Sequence, residues 1–381
     1  MPETKITFDV KKGLEGVIVA ESKIGHVDGQ KGKLYYRGYP IEELAKGRAS
    51  YEEVAYLLLY GALPTAAQLH AFSTHLHRHR PLPQHIVNMM KSFCHGMTSM
   101  EALRTTVSAL ACNDPDARKV SLDFHLHNGV GLIAKFPTIV AYHHRIRQRL
   151  KPVPPDPKLG YAANFLYMLN DKKPDPVSVE AMNADLVFHA EHGFNASTFS
   201  ARVTISTLSD MHSALTSAVG TLKGPLHGGA AQAVSTMLRE IKTPANAERY
   251  AKAALARHER IMGFGHRVYK VYDPRARILK KMAFALSRKK KNMRWYTIAD
   301  RLEKTMLKEK NLNPNVDFYS SIVYHLLGLP TDLDSPIFAI GRSAGWVAHC
   351  MEQYADNRLI RPRSKYIGKL DLKYVPIGKR K

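Results

Sequence analysis

Three ionisable residues lie in short segments between residues 223 and 320 that either contain glycines or follow a proline-marked loop. His227 lies in segment 224–230 (GPLHGGA), His266 in segment 262–270 (MGFGHRVYK) and Asp317 in segment 315–320 (NVDFYS). Glycine lets the backbone bend and approach a ligand closely. Two histidines and one carboxylate presented in this way are sufficient for proton transfers at a carbon atom. The sequence therefore predicts an acid–base site made of these three residues.

His227 and Asp317 each allow a second interpretation. His227 directly precedes a predicted helix, where backbone N–H groups and the helix dipole disfavour an imidazolium. A neutral ring there could donate a hydrogen bond to a developing enolate oxygen, or it could simply be packed against the backbone. Asp317, just before a helix predicted from Phe318, is either a helix cap or the base that removes a weakly acidic C–H proton.

Several cations accompany these residues. His266 is followed by Arg267 and Lys270, which suit a phosphate group. Arg275, at the start of a predicted helix, could bind a carboxylate through two hydrogen bonds, or it could form a surface ion pair.

Two further arginines and one further histidine are candidate binding residues. Arg342 and Arg361 lie in apolar or proline-stiffened surroundings, where an arginine usually has an anionic partner. His192 lies beside Gly193, in a segment that resembles the two catalytic histidine segments.

We expect no metal site and no disulfide framework. The pair at metal-ligand helical spacing, His75 and His79, has no carboxylate nearby, and its helix looks exposed. Cys94, Cys112 and Cys350 are far apart and are expected to be reduced and mostly buried.

The chain is strongly basic, with 56 Lys and Arg against 33 Asp and Glu and a formal net charge of +23. This balance favours an anionic partner, which could be nucleic acid, an acidic membrane face or a small polyanion. The basic run at 288–291 lacks a nucleic-acid-binding motif and is interpreted as a solvated face. The N-terminus lacks a signal-peptide layout, and the longest apolar stretch, 130–142, is interrupted by Lys135 and Pro137. We therefore expect a cytoplasmic protein.

The elements that must position these residues are mostly helices. Residues 17–20 and 33–37 predict two strands of a small N-terminal β element. Capping boxes at Ser50, Thr65 and Thr98, and the Asp175-Pro176 pair, predict the starts of four helices. Further helices are predicted at about 229–241, 245–258, 274–288, 296–308, 318–326 and 335–356. The predicted fold class is mainly α with a minor β element.

Taken in order, these segments resemble the citrate synthase family, in its short bacterial and archaeal form. The likeness runs from about residue 13 to residue 377 and rests on segments 224–230, 263–270, 273–276, 315–320, 341–346 and 361–363. It implies a helical homodimer with two domains in each chain. Residues 1–222 and 323–381 would form a large, dimer-forming domain. Residues 223–322 would form a small mobile domain that carries the CoA-binding and catalytic loops.

The resemblance also implies an activity and the residues that perform it. The enzyme would be an acyltransferase of the tricarboxylic acid cycle, condensing acetyl-CoA with oxaloacetate and hydrolysing citryl-CoA to citrate and CoA. It would need no cofactor, since acetyl-CoA is a co-substrate. Asp317 would be the base, His227 would stabilise the enol and His266 would donate a proton to oxaloacetate.

The remaining residues carried over from the family bind the substrates. Oxaloacetate would contact His192, Arg275, Arg342 and Arg361, the last reaching in from the partner subunit. Coenzyme A would contact Met262, Gly263 and Lys270.

Two alternatives to citrate synthase remain open. A 2-methylcitrate synthase would use propionyl-CoA through the same residues, and one methylene in an apolar pocket changes binding by only about 1–3 kcal/mol. The other is a basic nucleic-acid-binding or self-assembling protein that retains the fold, although all three catalytic residues are present.

Overall fold

The computed structural model describes residues 10–93, 96–114, 119 and 121–380. The first five residues and Cys94, on which two expectations depended, lie outside these ranges. Of the two described cysteines, Cys350 is buried and Cys112 is exposed, and both are free thiols. Helices dominate the described chain, which confirms the mainly α prediction.

A three-stranded antiparallel sheet lies near the N-terminus. Its strands are β1 (Gly25–Asp28), β2 (Lys33–Tyr36) and β3 (Tyr39–Pro40). The strand predicted at 17–20 is wrong, because that segment has no regular structure and Ile18 is 90% exposed. A four-residue turn pairs Asp28 with Lys33, so the partner of β2 is the segment directly before the turn.

Sixteen α-helices follow within the described ranges. They are α1 (Ile41–Lys46), α2 (Tyr51–Tyr60), α3 (Ala66–His79), α4 (Gln84–Phe93), α5 (Ser99–Leu110), α6 (Leu122–Arg147), α7 (Tyr161–Asn170), α8 (Pro176–His189), α9 (Ala196–Ser206), α10 (Met211–Leu222), α11 (Ala230–Ile241), α12 (Ala247–Ala256), α13 (Pro274–Lys289), α14 (Arg294–Lys310), α15 (Val316–Leu326) and α16 (Asp334–Ala355).

The predicted helix starts are confirmed by the cap geometry. Ser50, Thr65 and Thr98 each accept a hydrogen bond from the backbone N–H three residues on, and the side chain there bonds back to the cap residue. Asp175 accepts from the Ser178 N–H in the same way. These bonds satisfy N–H groups that a helix start would otherwise leave without partners.

Two long helices form the centre of the molecule. α6 is mostly buried from Asn128 to Ile146, and the helix continues through Pro137. It packs against α16, which is buried from Asp334 to Cys350 and also contacts α2, α8, α9 and α10. In the ranges that the structure describes, no helix combines the length and the apolar composition needed to cross a bilayer.

The helices from α11 to α15 pack largely on one another and hold the predicted catalytic residues. α15 contacts α11, α13 and α14, while α13 and α15 also contact α8. His227 lies in the loop before α11, His266 in the loop between α12 and α13, and Asp317 in the first turn of α15. Arg342 lies on α16. The site is therefore built where this second group of helices meets α8, α9 and α16.

Candidate active site

The loop that carries His227 turns sharply between α10 and α11. The Gly228 N–H donates to the carbonyl oxygen of Leu222 at 3.0 Å. A Cβ atom at Gly228 would lie 2.2 Å from that oxygen, so only glycine fits. This turn brings the half-buried His227 ring toward α9, and glycine at this position is therefore required for the placement of the histidine.

The tautomer of His227 is set by Ser197 on α9. The Ser197 backbone N–H donates to His227 Nε2 at 3.3 Å, and the Ser197 hydroxyl lies 2.8 Å from the same nitrogen. Nε2 therefore accepts, and the proton resides on Nδ1. Burial, followed by the charge of Arg342, lowers the pKa of His227 to about 4. His227 is thus a neutral ring with an Nδ1–H donor.

The loops that carry His266 and Asp317 are joined by backbone hydrogen bonds. The Asn315 N–H donates to the Gly263 carbonyl at 2.8 Å, and the Gly265 N–H donates to the Asn313 carbonyl at 2.9 Å. Gly263 has a φ of +84°, and a Cβ there would lie 2.8 Å from side-chain atoms of Phe318. The loops of these two candidate residues are therefore fixed relative to each other.

His266 is also a neutral donor, but through its other nitrogen. Its Nδ1 accepts the backbone N–H groups of Val268 and Tyr269 at 3.0 and 3.2 Å, which leaves the proton on Nε2. Burial and the charge of Arg275 lower the pKa of His266 to about 4, although Asp273 acts in the opposite direction. An Nε2–H group can donate to a substrate oxygen.

Asp317 lies within the first turn of α15 and is not its cap. Asn315 occupies the cap position, and α15 begins at Val316, two residues earlier than predicted. Burial raises the pKa of the Asp317 carboxyl above its ordinary value, while the charges of His189 and Arg275 act to lower it. A raised pKa makes this carboxylate a stronger base than one exposed to water.

Arg275 forms a buried ion pair with Asp273 and not the surface pair considered as an alternative. Two guanidinium nitrogens, Nε and Nη2, donate to the two carboxylate oxygens at 3.0 and 2.8 Å. Burial acts to lower the pKa of Arg275, but Asp273 and Tyr269 outweigh it and the pKa is raised. Asp273 also accepts the Val316 N–H at 3.1 Å, so this pair links α13 to the start of α15.

Arg342 is a buried cation that lacks an adjacent carboxylate. Its Nε donates to the His189 carbonyl at 2.6 Å, and its guanidinium lies 4.6 Å from the Phe338 ring centroid. Among the described residues, no carboxylate lies within 4.0 Å of it. Burial lowers the pKa of Arg342 to about 10, with the more distant Glu191 acting against it. A buried cation without a close counterion favours the binding of an anion.

His192 joins the two halves of the site. Its ring lies 5.2 Å from the His266 ring, and its Nε2 lies 3.3 Å from the Tyr269 hydroxyl. Burial lowers the pKa of His192 well below its ordinary value, and the charges of Arg275, His266 and Arg342 act in the same direction. The structure thus brings six of the predicted residues into one electrostatic environment, namely His192, His227, His266, Arg275, Arg342 and Asp317.

The other predicted site residues are not assembled here. Arg361 is exposed on an extended segment after α16. Lys270 is exposed, and its backbone N–H donates to the Gly29 carbonyl at 2.9 Å. Met262 is half-buried against the core, and Gly263 supplies the backbone turn described above. Their proposed substrate contacts remain predictions.

Four residues of the site were not found from the sequence. Ser197 orients His227, Asp273 pairs with Arg275, Tyr269 contacts His192 and Phe338 lies between His227 and Arg342. Ser197 and Asp273 were visible beside candidate residues, at helix starts where polar side chains are common caps. Nothing local distinguishes a cap from a group that orients a catalytic side chain.

The geometry is suited to acid–base chemistry on a small anion. It offers one carboxylate base, two neutral N–H donors and two buried guanidinium groups. Within the described chain, the single group of side chains close enough to hold a metal ion lies on α3 and α6, which contribute none of these residues.

Comparison with known proteins gives a consistent result. The family described as "Citrate synthase, C-terminal domain" matches residues 13–363. Citrate synthase from Haloferax volcanii is 48% identical over 377 residues, covering 98% of this chain and 99% of that protein. A 2-methylcitrate synthase from Mycobacterium tuberculosis is 42% identical over 360 residues, covering 94% and 91%. Citrate synthase from Thermoplasma acidophilum, solved as a ternary complex with carboxymethyl coenzyme A and oxaloacetate, matches with a TM-score of 0.93 and 36% identity, covering 98% and 100%.

Proposed function

Because this chain belongs to the citrate synthase family, we propose that it condenses acetyl-CoA with oxaloacetate and hydrolyses citryl-CoA to citrate and CoA, acting in the cytoplasm. The observation that carries the proposal is the arrangement around Arg342. This buried cation without a close carboxylate lies near the neutral ring of His227 and within the electrostatic environment of Asp317, a carboxyl group with a raised pKa. This is the set of groups that a carbon–carbon bond-forming step between a thioester and an anionic keto acid needs.

In the first step, Asp317 removes a proton from the methyl carbon of acetyl-CoA. The C–H electron pair moves into the thioester, and the oxygen that gains charge accepts a hydrogen bond from His227 Nδ1–H. A neutral donor suits this role, because its bond strengthens as charge develops on the oxygen. Ser197 keeps the proton on Nδ1 by donating its own N–H to Nε2.

In the second step, the enol carbon attacks the ketone carbon of oxaloacetate. The ketone oxygen takes up a proton from His266 Nε2–H, whose orientation is fixed by the two N–H groups on Nδ1. The imidazolate left on His266 regains a proton from the carboxylic acid of Asp317, which holds the proton removed in the first step. Arg342 and the remaining donor nitrogen of Arg275 bind the oxaloacetate carboxylates, and His192 contacts the same substrate. Water then hydrolyses the thioester of citryl-CoA to release citrate and CoA.

The division into two domains remains our proposal. We assign residues 1–222 and 323–381 to a large domain and 223–322 to a small domain that closes over the substrates. The packing of α11 to α15 largely on one another supports this assignment. Closure would exclude water from the proton transfers.

We further propose a homodimer in which Arg361 completes the oxaloacetate site of the partner subunit. The segment that follows α16 is extended and exposes large apolar side chains, including Ile367 at 91% and Tyr374 at 81%. Apolar side chains exposed in such number indicate a protein contact surface. Arg361 lies near the start of this segment and is itself exposed in the single chain.

A mixed dimer of D317N and R361A chains tests the proposed role of Arg361. If Arg361 acts on the partner's site, one of the two sites combines intact Asp317 with intact Arg361. The mixed dimer should then recover about half of the activity of the unsubstituted dimer, although the D317N and R361A homodimers are each impaired. Activity no higher than that of the R361A homodimer would place Arg361 at its own chain's site or outside any site.

Coenzyme A would contact the backbone at Met262 and Gly263 and the side chain of Lys270. The exposed position of Lys270 is compatible with a phosphate group, which remains accessible to water. The net charge of +23 would steer this polyanionic co-substrate toward the protein.

A second candidate activity is 2-methylcitrate synthesis, which the similarity to the Mycobacterium tuberculosis protein favours. Thiol release measured with acetyl-CoA and with propionyl-CoA, each with and without oxaloacetate, tests both activities. We expect release that depends on oxaloacetate and a higher kcat/KM for acetyl-CoA. Faster turnover of propionyl-CoA would assign the second activity, and no oxaloacetate-dependent release with either thioester would exclude both.

A further inference from the structure

Three histidines on two neighbouring helices form a cluster outside the proposed active site. His75 and His79 lie one turn apart on α3, and His127 lies near the start of α6. Their ligand nitrogens all lie within 4.8 Å of one another. The rings of His75 and His79 are stacked 4.4 Å apart, and the His127 ring is nearly perpendicular to both at 5.2 and 5.1 Å.

The expectation that this pair is not a metal site rested on a helix that looks exposed and on the lack of a nearby carboxylate. In the structure, His75 and His79 are half-buried, and α6 supplies a third imidazole that the sequence separates from them by 48 residues (127 − 79). Three imidazoles from two elements are a known ligand set for zinc, with the remaining position left open.

The hydrogen bonds leave suitable lone pairs for an ion. His79 Nδ1 lies 2.9 Å from the His75 carbonyl oxygen, which can only accept, so the proton is on Nδ1 and Nε2 is free to ligate. His75 Nε2 is buried and, within the described chain, has no hydrogen-bond partner. Burial, with the charges of His79 and His127, lowers the pKa of His75 to about 4, so its ring is in the neutral form that binds metals.

One group opposes a cation at this position. Lys135, about two helix turns along α6 from His127, lies close to His79, and its charge acts to lower the pKa of both His75 and His79. Burial lowers the pKa of Lys135 itself to about 8, so part of the population is neutral near physiological pH. We therefore expect moderate affinity for a metal and not the tight binding of an all-cysteine site.

We propose that His75, His79 and His127 bind one divalent transition-metal ion of the zinc type, which links α3 to α6. Nitrogen ligands at about 2.0–2.1 Å in a tetrahedral site lie roughly 3.4 Å apart, so binding requires only small side-chain movements from the present arrangement. Because His127 is exposed, the fourth position faces solvent and would hold water. The donor set selects an ion that accepts imidazole, such as Zn²⁺ or Co²⁺, over Mg²⁺ or Ca²⁺.

The test uses the full chain without a histidine tag, stripped of metal by a chelator and then dialysed. Co²⁺ is titrated while visible absorption is recorded, and Zn²⁺ is then added as a competitor. Bound metal per chain is measured by elemental analysis after equilibrium dialysis. The two matched variants are H127N, which removes the exposed third ligand, and H70N, which removes an exposed histidine on α3 outside the cluster.

We expect one Co²⁺ per chain in the parent and in H70N, displaced by Zn²⁺, and at least about tenfold weaker binding in H127N. Zn²⁺ should raise the Tm of the parent and of H70N but not of H127N, because a ligand stabilises only the state that binds it. No saturable Co²⁺ binding in the parent would overturn the proposal. Equal binding by H127N and the parent would overturn it as well.

Discussion

Replacing Asp317 with asparagine is expected to abolish catalysis while leaving the fold and the binding of oxaloacetate intact. In the described chain the Asp317 side chain has no recorded hydrogen bond, so the amide, which has the same shape, breaks none. Removing a general base slows a reaction by about 100- to 10,000-fold, which corresponds to roughly 2.7–5.5 kcal/mol of transition-state stabilisation. We therefore expect kcat to fall by at least 100-fold.

Two opposing effects keep the stability of D317N close to that of the parent. A carboxylate in the first turn of a helix interacts favourably with the helix dipole by about 0.3–1 kcal/mol, which asparagine loses. Burial raises the folded-state pKa of Asp317 above its unfolded-state value. Ionisation of this group therefore lowers stability as the pH rises from the unfolded-state pKa through the folded-state pKa. Asparagine avoids that cost. We expect a Tm within about 4 °C of the parent.

The assay combines thiol release, calorimetry and thermal unfolding. Oxaloacetate binding by D317N should be unchanged or tighter, because a negative charge has been removed near Arg275 and Arg342. The matched control is Asp123→Asn, an exposed aspartate in the first turn of α6, which should retain parent kcat. A kcat for D317N within tenfold of the parent would refute the assignment of Asp317 as the base. Loss of oxaloacetate binding would refute the electrostatic reasoning.

Three further predictions concern the groups around this base. Ser197→Ala should lower kcat about 3- to 10-fold and lower stability by about 1–3 kcal/mol, since it removes the hydroxyl contacts with His227 and Asn195 and leaves the Trp346 N–H unpaired. Ser200→Ala on the same helix should leave kcat unchanged. The folded-state pKa values of His227 and His266 are lowered to about 4, so the contribution of these neutral rings to stability is lost as the pH falls from about 6.5 toward 4. An H227N/H266N variant should therefore lose less stability than the parent over that pH range, and equal losses in urea unfolding would contradict this prediction. The kcat/KM for acetyl-CoA should fall several-fold between 0.01 M and 0.15 M salt while kcat stays constant, and a flat profile would exclude electrostatic steering.

The helices could be predicted from the sequence because their starts depend on local signals, and the same local signals singled out the candidate site residues. The capping boxes at Ser50, Thr65 and Thr98 define helix starts through bonds that span three residues. The prediction of a strand at 17–20 was wrong. The β-branched residues of that segment are typical of a strand, but the turn that follows Asp28 decides which segment pairs with β2.

The orienting groups of the site could not be predicted because they depend on contacts between distant segments. Ser197 and His227 are 30 residues apart in the sequence, and Arg342 and the His189 carbonyl to which it donates are 153 residues apart. The third histidine beside His75 and His79 was missed for the same reason, since only the packing of α3 on α6 brings it there. The sequence singles out the candidate residues, but only the fold shows their hydrogen-bond partners and counterions.

The backbone bonds between Gly263 and Asn315 have a consequence for protein engineering. The proposed acid His266 and the proposed base Asp317 lie on loops that keep a constant separation, because neither loop can shift without breaking these bonds to the other. Arg342, one of the two arginines proposed to bind the carboxylates of the keto acid, is carried by a different helix, α16. A library directed at α16 could therefore explore other keto acids without misaligning the groups that exchange protons, whereas an insertion near Pro314 would disturb both ends of the proton transfer at once.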